Sequence, residues 1–187
     1  MSARGLLEER GMKGLLSKLF VVGWCVVFLT SCGSSRVVVS CLDHIQAGDM
    51  GRFVEQEGGL VLDPLTGAEW YRCALGQRYT DSGCVGQPRR LAWEEVPQMI
   101  AEIEEQTGVS WRLPLDEEFF AITRKDCINP VVNPNVFPNI TIENHWVVGT
   151  GLSPREECML YTYSGTRSCR VIQEMPLPVL MVKQDSR

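Results

Sequence analysis

Amides, a carboxylate, an imidazole and an indole crowd the stretch from Asn133 to Trp146. Asn133, Asn135, Asn139, Glu143, Asn144, His145 and Trp146 together offer hydrogen-bonding groups beside a flat apolar ring. That is the right chemistry for a sugar, or for oxygen ligation of calcium. A structural reading competes with it, because loop asparagines commonly satisfy backbone and a Trp is commonly core. Val132-Asn133-Pro134-Asn135 also lacks the acid of a lectin-type calcium tripeptide. Asp116, Glu117 and Glu118 are paired acids, but they stand where a helix should begin, and helix starts favour acids without catalysis. No Ser/His/Asp spacing is visible. With no C-x-x-C and with His44 and His145 far apart, neither an enzyme nor a metal or cofactor is expected.

Eight cysteines in 187 residues demand either metal or an oxidising compartment. The N-terminus decides which. Lys13 and Lys18 precede an apolar run over residues 19–29, and Thr30-Ser31-Cys32 follows. A basic start, an apolar middle and small residues make a secretory signal, and the run is too short to span a membrane comfortably. Leu29-Thr30-Ser31-Cys32 resembles a bacterial lipobox. The resemblance implies a signal peptide over residues 1–31 and a Cys32 that is diacylated on sulfur, then acylated on its freed nitrogen. Glu8 and Glu9 fit a basic region poorly, so Met12 is the expected true start. Gly33 and Ser34 follow with no Asp to retain the product in the inner membrane, which implies an outer-membrane address, facing the periplasm or the surface. Several acyl chains anchor stably where one alone is marginal. Residues 32–50 then read as a lipidated tether and 51–187 as the domain, although Cys41 argues that the chain is already pinned there.

Cys25 leaves with the signal and Cys32 carries lipid. Cys41, Cys73, Cys84, Cys127, Cys158 and Cys169 remain, and an even number in an envelope protein reads as three disulfides. Sequence alone cannot choose among their pairings. Cys73 and Cys84 are the best local pair. The formal charge of −5 leaves no expectation of nucleic-acid binding.

The elements that must position these groups are short. Residues 53–55, 59–63, 69–73, 145–148 and 179–182 read as strands, and 158–163 with 166–172 as a hairpin about Ser164-Gly165. Asp63-Pro64-Leu65-Thr66-Gly67 is a turn. Residues 91–107 carry apolar Val96, Met99, Ile100 and Ile103 on one helical face, with Pro97 in the first turn and Gly108 at the end. Residues 129–139, with three prolines and four asparagines, must be an ordered loop. Trp111-Arg112-Leu113-Pro114 is a corner: Pro114 holds Leu113 extended, and a second helix follows. Arg112 needs a partner there, Glu118 or a carbonyl, because a lone buried guanidinium is too costly.

Taken in order, Gly59-Leu60-Val61-Leu62-Asp63, Thr66-Gly67-Ala68-Glu69-Trp70, Arg72-Cys73-Ala74-Leu75-Gly76-Gln77, Trp93, Trp111-Arg112-Leu113-Pro114, Glu118, Asn129-Pro130, Val136-Phe137-Pro138-Asn139 and His145-Trp146 resemble the Lcl C-terminal domain family. Leu115 stands where the family offers a capping Thr or Asn, and His145-Trp146-Val147-Val148 replaces its Tyr-Trp-Ser-Ser. The resemblance implies a small disulfide-stapled α+β domain of antiparallel strands and two helices, related to C-type-lectin-like and formylglycine-enzyme-like folds. It also implies a non-enzymatic binding module, since the family is named for a collagen-like adhesin of host polysaccharide. The functional expectation is therefore an outer-membrane lipoprotein for adhesion or polysaccharide binding. The alternative is an accessory of a pilus, secretion machine or other envelope assembly.

Overall fold

The computed structural model describes residues 38–171 and 175–184; the signal, Cys32 and the first residues after it lie outside them. In chain order the elements are β1 (Val39–Ser40), α1 (Cys41–His44), β2 (Val54–Gln56), β3 (Leu60–Leu62), β4 (Glu69–Tyr71), β5 (Arg78–Thr80), β6 (Gly83–Val85) and β7 (Arg90–Leu91). Then come α2 (Val96–Thr107), β8 (Trp111–Arg112), α3 (Asp116–Ala121), β9 (Cys127–Ile128), β10 (Asn144–Val147), β11 (Glu157–Tyr161), β12 (Thr166–Arg170), β13 (Leu177–Pro178) and β14 (Val182–Lys183). This is a small α+β domain of short, mostly antiparallel strands with three disulfides.

A five-stranded sheet runs β2-β3-β4-β14-β8, and a three-stranded sheet runs β10-β11-β12. Side chains alternate along each strand, so Val61, Trp70 and Val182 all point from the first sheet into one core. They meet Val147, Cys158 and Leu160 of the second sheet, with Phe119 of α3 between. Trp70 stands edge-on to Phe119 at 5.9 Å and to Phe137 at 5.7 Å. A second cluster gathers Trp146 and Met159 with Leu91, Val96, Leu113 and Met181, and α2 packs Met99, Ile100 and Ile103 against it. The turn after β3 is held by Asp63, whose carboxylate accepts from Leu65 N and from both Nε and Nη2 of Arg52. Arg52 Nη2 also donates to Ala121 O, which ties that turn to the end of α3.

The disulfides are Cys41–Cys127, Cys73–Cys84 and Cys158–Cys169. The local pair is as expected. The other two follow from pairing: Cys158 lies opposite Cys169 in the β11–β12 hairpin, and β1 runs parallel to β9 beside Cys127.

Three boundaries differ from the sequence reading. The main helix starts at Val96, not 91, because a helix running through Pro97 would clash with the carbonyl one turn back. Leu91 instead pairs with Leu177 in a strand. Gly108 ends the helix at φ 68°, where its N–H reaches Glu104 O at 2.8 Å. The closing strand splits, since Leu177 and Pro178 pair with β7 before Val182 joins β4 and β8. Finally, the compact unit begins at Val38 rather than residue 51. Ser40 Oγ donates to Asn129 O, and Asn135 Nδ2 donates to Gln46 O and Asp49 O, so the second half of the expected tether is built into the domain.

Candidate functional site

The corner at Trp111 to Pro114 joins the two sheets. Trp111 and Arg112 pair with Lys183 and Val182, and Leu113 enters the second core cluster. Pro114 O then accepts from Val148 N, and Asp116 N donates to Val148 O, which lays the chain beside the end of β10. Arg112 is half-buried and meets Glu118 through two bonds of 2.7 Å each, with a third to Leu113 O at 3.2 Å. Both expected partners are present. Glu118 also accepts from Leu115 N at 2.8 Å, which caps α3 without the Thr or Asn that Leu115 replaces. Arg112→Leu should therefore cost about 1–2 kcal/mol and lower folding yield, as seen in a chemical denaturation midpoint. A variant of unchanged stability would contradict the structural role.

Of the residues singled out between Asn133 and Trp146, Asn133, Asn135, His145 and Trp146 are tied to backbone or core. Asn133 is buried, donating to Asp49 O and accepting from Asn135 N; Asn135 holds Gln46 and Asp49. Asn139 turns left-handed at φ 59° and accepts from Cys84 N. Glu143 forms a two-point pair with Arg90 across 2.7 and 3.0 Å. Asn144 opens β10 opposite Tyr161. Trp146 is buried, its indole N–H donates to Leu91 O, and Trp93 stands edge-on to it at 5.3 Å. These seven residues line neither of the two cavities described below. Among the described residues, no group of three or more Asp, Glu, His and Cys side chains could hold a metal ion.

His145 is fully buried against Phe119, with Nδ1 against Glu143 O at 3.1 Å and no partner on Nε2. Burial pushes its pKa down to about 4 from 6.5. The unfolded chain therefore binds a proton that the native state refuses in the window between those values. Stability is full above pH 6.5 and falls on the way to pH 4 by on the order of 3 kcal/mol. His145→Leu should flatten that part of a melting-temperature profile; an unchanged slope would contradict the assignment. At Asp63 and Glu118, burial is the largest influence and works to raise each carboxyl. The Arg52 and Arg112 hydrogen bonds, the Leu65 and Leu115 backbone donors and the arginine charges together nevertheless hold both below the usual range. Their contribution is present above about pH 4 and is lost as the pH falls further.

One cavity, of about 230 Å³, lies between Tyr71, Leu75, Ile103, Trp111 and Met181. The other, of about 380 Å³, is an open shelf between α3 and β12. Only the second reaches the roughly 300–1,000 Å³ usual for small-molecule sites. Its floor is Leu160 and Ala121, with Asp116, Glu117 and Arg167 at its margin and Phe120 presenting its ring. Phe119 and Phe120 sit about 100° apart on α3, so the core takes the first and leaves the second 56% exposed. Arg167 Nε meets Asp116 Oδ2 at 2.6 Å, and Nη2 donates to Thr150 O at 2.9 Å. Gly149 permits this approach, since a Cβ there would lie 2.5 Å from Asp116 Oδ2. The shelf thus combines an apolar ring with a fixed guanidinium and two carboxylates. The sequence reading treated these acids only as a helix start; the adjacent phenylalanines were the signal that one of them must face outward.

The Lcl C-terminal domain model matches residues 59–183, about two-thirds of the chain, and the chain belongs to that family. Comparison with curated proteins and with solved structures finds no match.

Proposed function

We propose that the mature protein is an outer-membrane lipoprotein, anchored through Cys32, whose domain is a non-enzymatic module binding polysaccharide on the α3–β12 shelf. The observation that carries this reading is the exposed Phe120 ring beside Asp116, Glu117 and Arg167. A sugar ring has an apolar C–H face and a polar edge. Phe120 offers a surface for the face, while the carboxylates accept from hydroxyls and Arg167 donates to them. Arg167 is already oriented by Asp116 and Thr150, so little side-chain entropy remains to be lost on binding. Membership in a family named for an adhesin supports the same reading. Against a thiol-based enzyme, the six described cysteines are all in disulfides.

The test is a glycan array probed with the full lipidated protein, with and without calcium, after mass spectrometry of its N-terminus. Acylation at Cys32 and binding to at least one polysaccharide class are the expected results. An array blank under both conditions would contradict polysaccharide binding, and a co-purifying envelope assembly would then favour the accessory role.

A further inference from the structure

The domain begins much closer to Cys32 than a tether ending at residue 50 would allow. Five residues separate Cys32 from Val38, where the compact unit starts. Fully extended, six peptide steps reach about 20 Å. A domain of this size has a radius of gyration of about 15 Å, so the link is comparable to the domain itself. The link keeps the residues around β1 within about 20 Å of the surface that holds Cys32. The face around β1 is therefore the part of the domain held nearest that surface.

That face exposes aliphatic side chains beside the polar Asp43 and His44. Val38 is 57% exposed, Val39 is 38% exposed and Leu42 of α1 is 64% exposed, all within one short stretch. The stretch cannot swing away, because Val39 and Ser40 are paired to Cys127 and Ile128 and Cys41 is bonded to Cys127. Two tyrosines are joined to this stretch through the backbone. Asn129 O accepts from Ser40 Oγ at 2.7 Å, and Asn129 N donates to Tyr163 O at 2.9 Å. Tyr163 stacks on Tyr161 at 5.9 Å, and both rings are more than one-third exposed. Aliphatic side chains beside amphipathic tyrosines are the composition that settles at a bilayer's interfacial layer.

We infer that Val38, Val39 and Leu42, with Tyr161 and Tyr163 beside them, form a seat that rests on the lipid surface and fixes the orientation of the domain. This rests on the lipid anchor proposed at Cys32. The patch is too small to bind a membrane alone. Held within about 20 Å by the anchor, it needs only a weak preference, because tethering makes the second contact intramolecular. Seating at this end leaves the opposite end of the β11–β12 hairpin pointing away. Leu152 marks that end; it is fully exposed and precedes β11, whose five residues run about 17 Å back toward Tyr163.

The test uses the full lipidated chain in vesicles of phosphatidylethanolamine and phosphatidylglycerol, with bromine on the upper acyl chain as quencher. Leu42→Trp and Leu152→Trp are compared, each corrected for the native tryptophans and each checked for three intact disulfides. Leu42→Trp should be quenched at least about twofold more than Leu152→Trp, because seated side chains enter the boundary between headgroups and acyl chains. The shared Trp cancels any affinity that the new ring brings. Equal quenching on an acylated protein would overturn the seat alone. A Cys32 found without acyl chains would overturn the anchor reading and the seat with it.

Discussion

Replacing Arg72 by Leu should destabilise the domain by about 3–5 kcal/mol. The guanidinium is 5% exposed at the end of β4. Its Nε donates to Val136 O at 3.0 Å and its Nη2 to Asn135 O, so it fastens the Asn/Pro loop onto the sheet. Nη1 reaches Glu55 and the Tyr79 hydroxyl, and the group lies 4.3 Å over the Tyr79 ring. A leucine would supply none of these donors and would leave carbonyls of the loop without them, at about 1–3 kcal/mol for each buried orphan. Chemical denaturation measures this directly. A loss below about 1 kcal/mol would mean that water reaches those carbonyls and the clamp is not what holds the loop.

The second large effect concerns the disulfides, and it is an ordering. Cys41–Cys127 closes a sequence separation of 86, whereas Cys73–Cys84 and Cys158–Cys169 each close 11. In the chain-entropy model the long closure contributes about 4–5 kcal/mol and each short one about 3. Cys41→Ser with Cys127→Ser should therefore cost more than the matching pair at Cys73 and Cys84. It should also free β1 and α1, which have few other fastenings besides Asn129 and the Asp126–His44 contact at 3.1 Å. Melting temperatures of the two double variants decide the order. If the short closure proved dearer, native strain or residual structure in the unfolded chain would outweigh loop length.

Local signals were legible where the physics is local. Cys73 with Cys84, the turn at Asp63, Gly108 as a helix stop and the hairpin at Ser164-Gly165 all follow from short-range chemistry. The Arg112–Glu118 pair could be named because both residues sit within one corner and its helix. Arg72 could not, since its partners at Glu55, Asn135 and Val136 are distant in the chain and nothing in Trp70-Tyr71-Arg72-Cys73 announces them. The same limit governed the candidate site. Asn133, Asn135, His145 and Trp146 looked available because sequence does not display the carbonyls they meet. The shelf stayed hidden for the converse reason: Asp116 and Arg167 are distant in the chain, and their pairing in the space left by Gly149 has no local trace. Cys41 marks where the tether ends, but the docking of residues 46–49 rests on Asn135, which is distant in the chain.

The central claim is that Phe120 belongs to a binding surface rather than to the core. Its exposure means that Phe120→Ala should leave stability within about 0.5 kcal/mol of the parent. The decisive measurement is titration of parent and Phe120→Ala, both lipidated, with the polysaccharide that the array selects. Losing the apolar stacking surface should weaken binding about tenfold or more while the melting temperature stays in place. Unchanged affinity in a stably folded Phe120→Ala variant would contradict the shelf as the binding site.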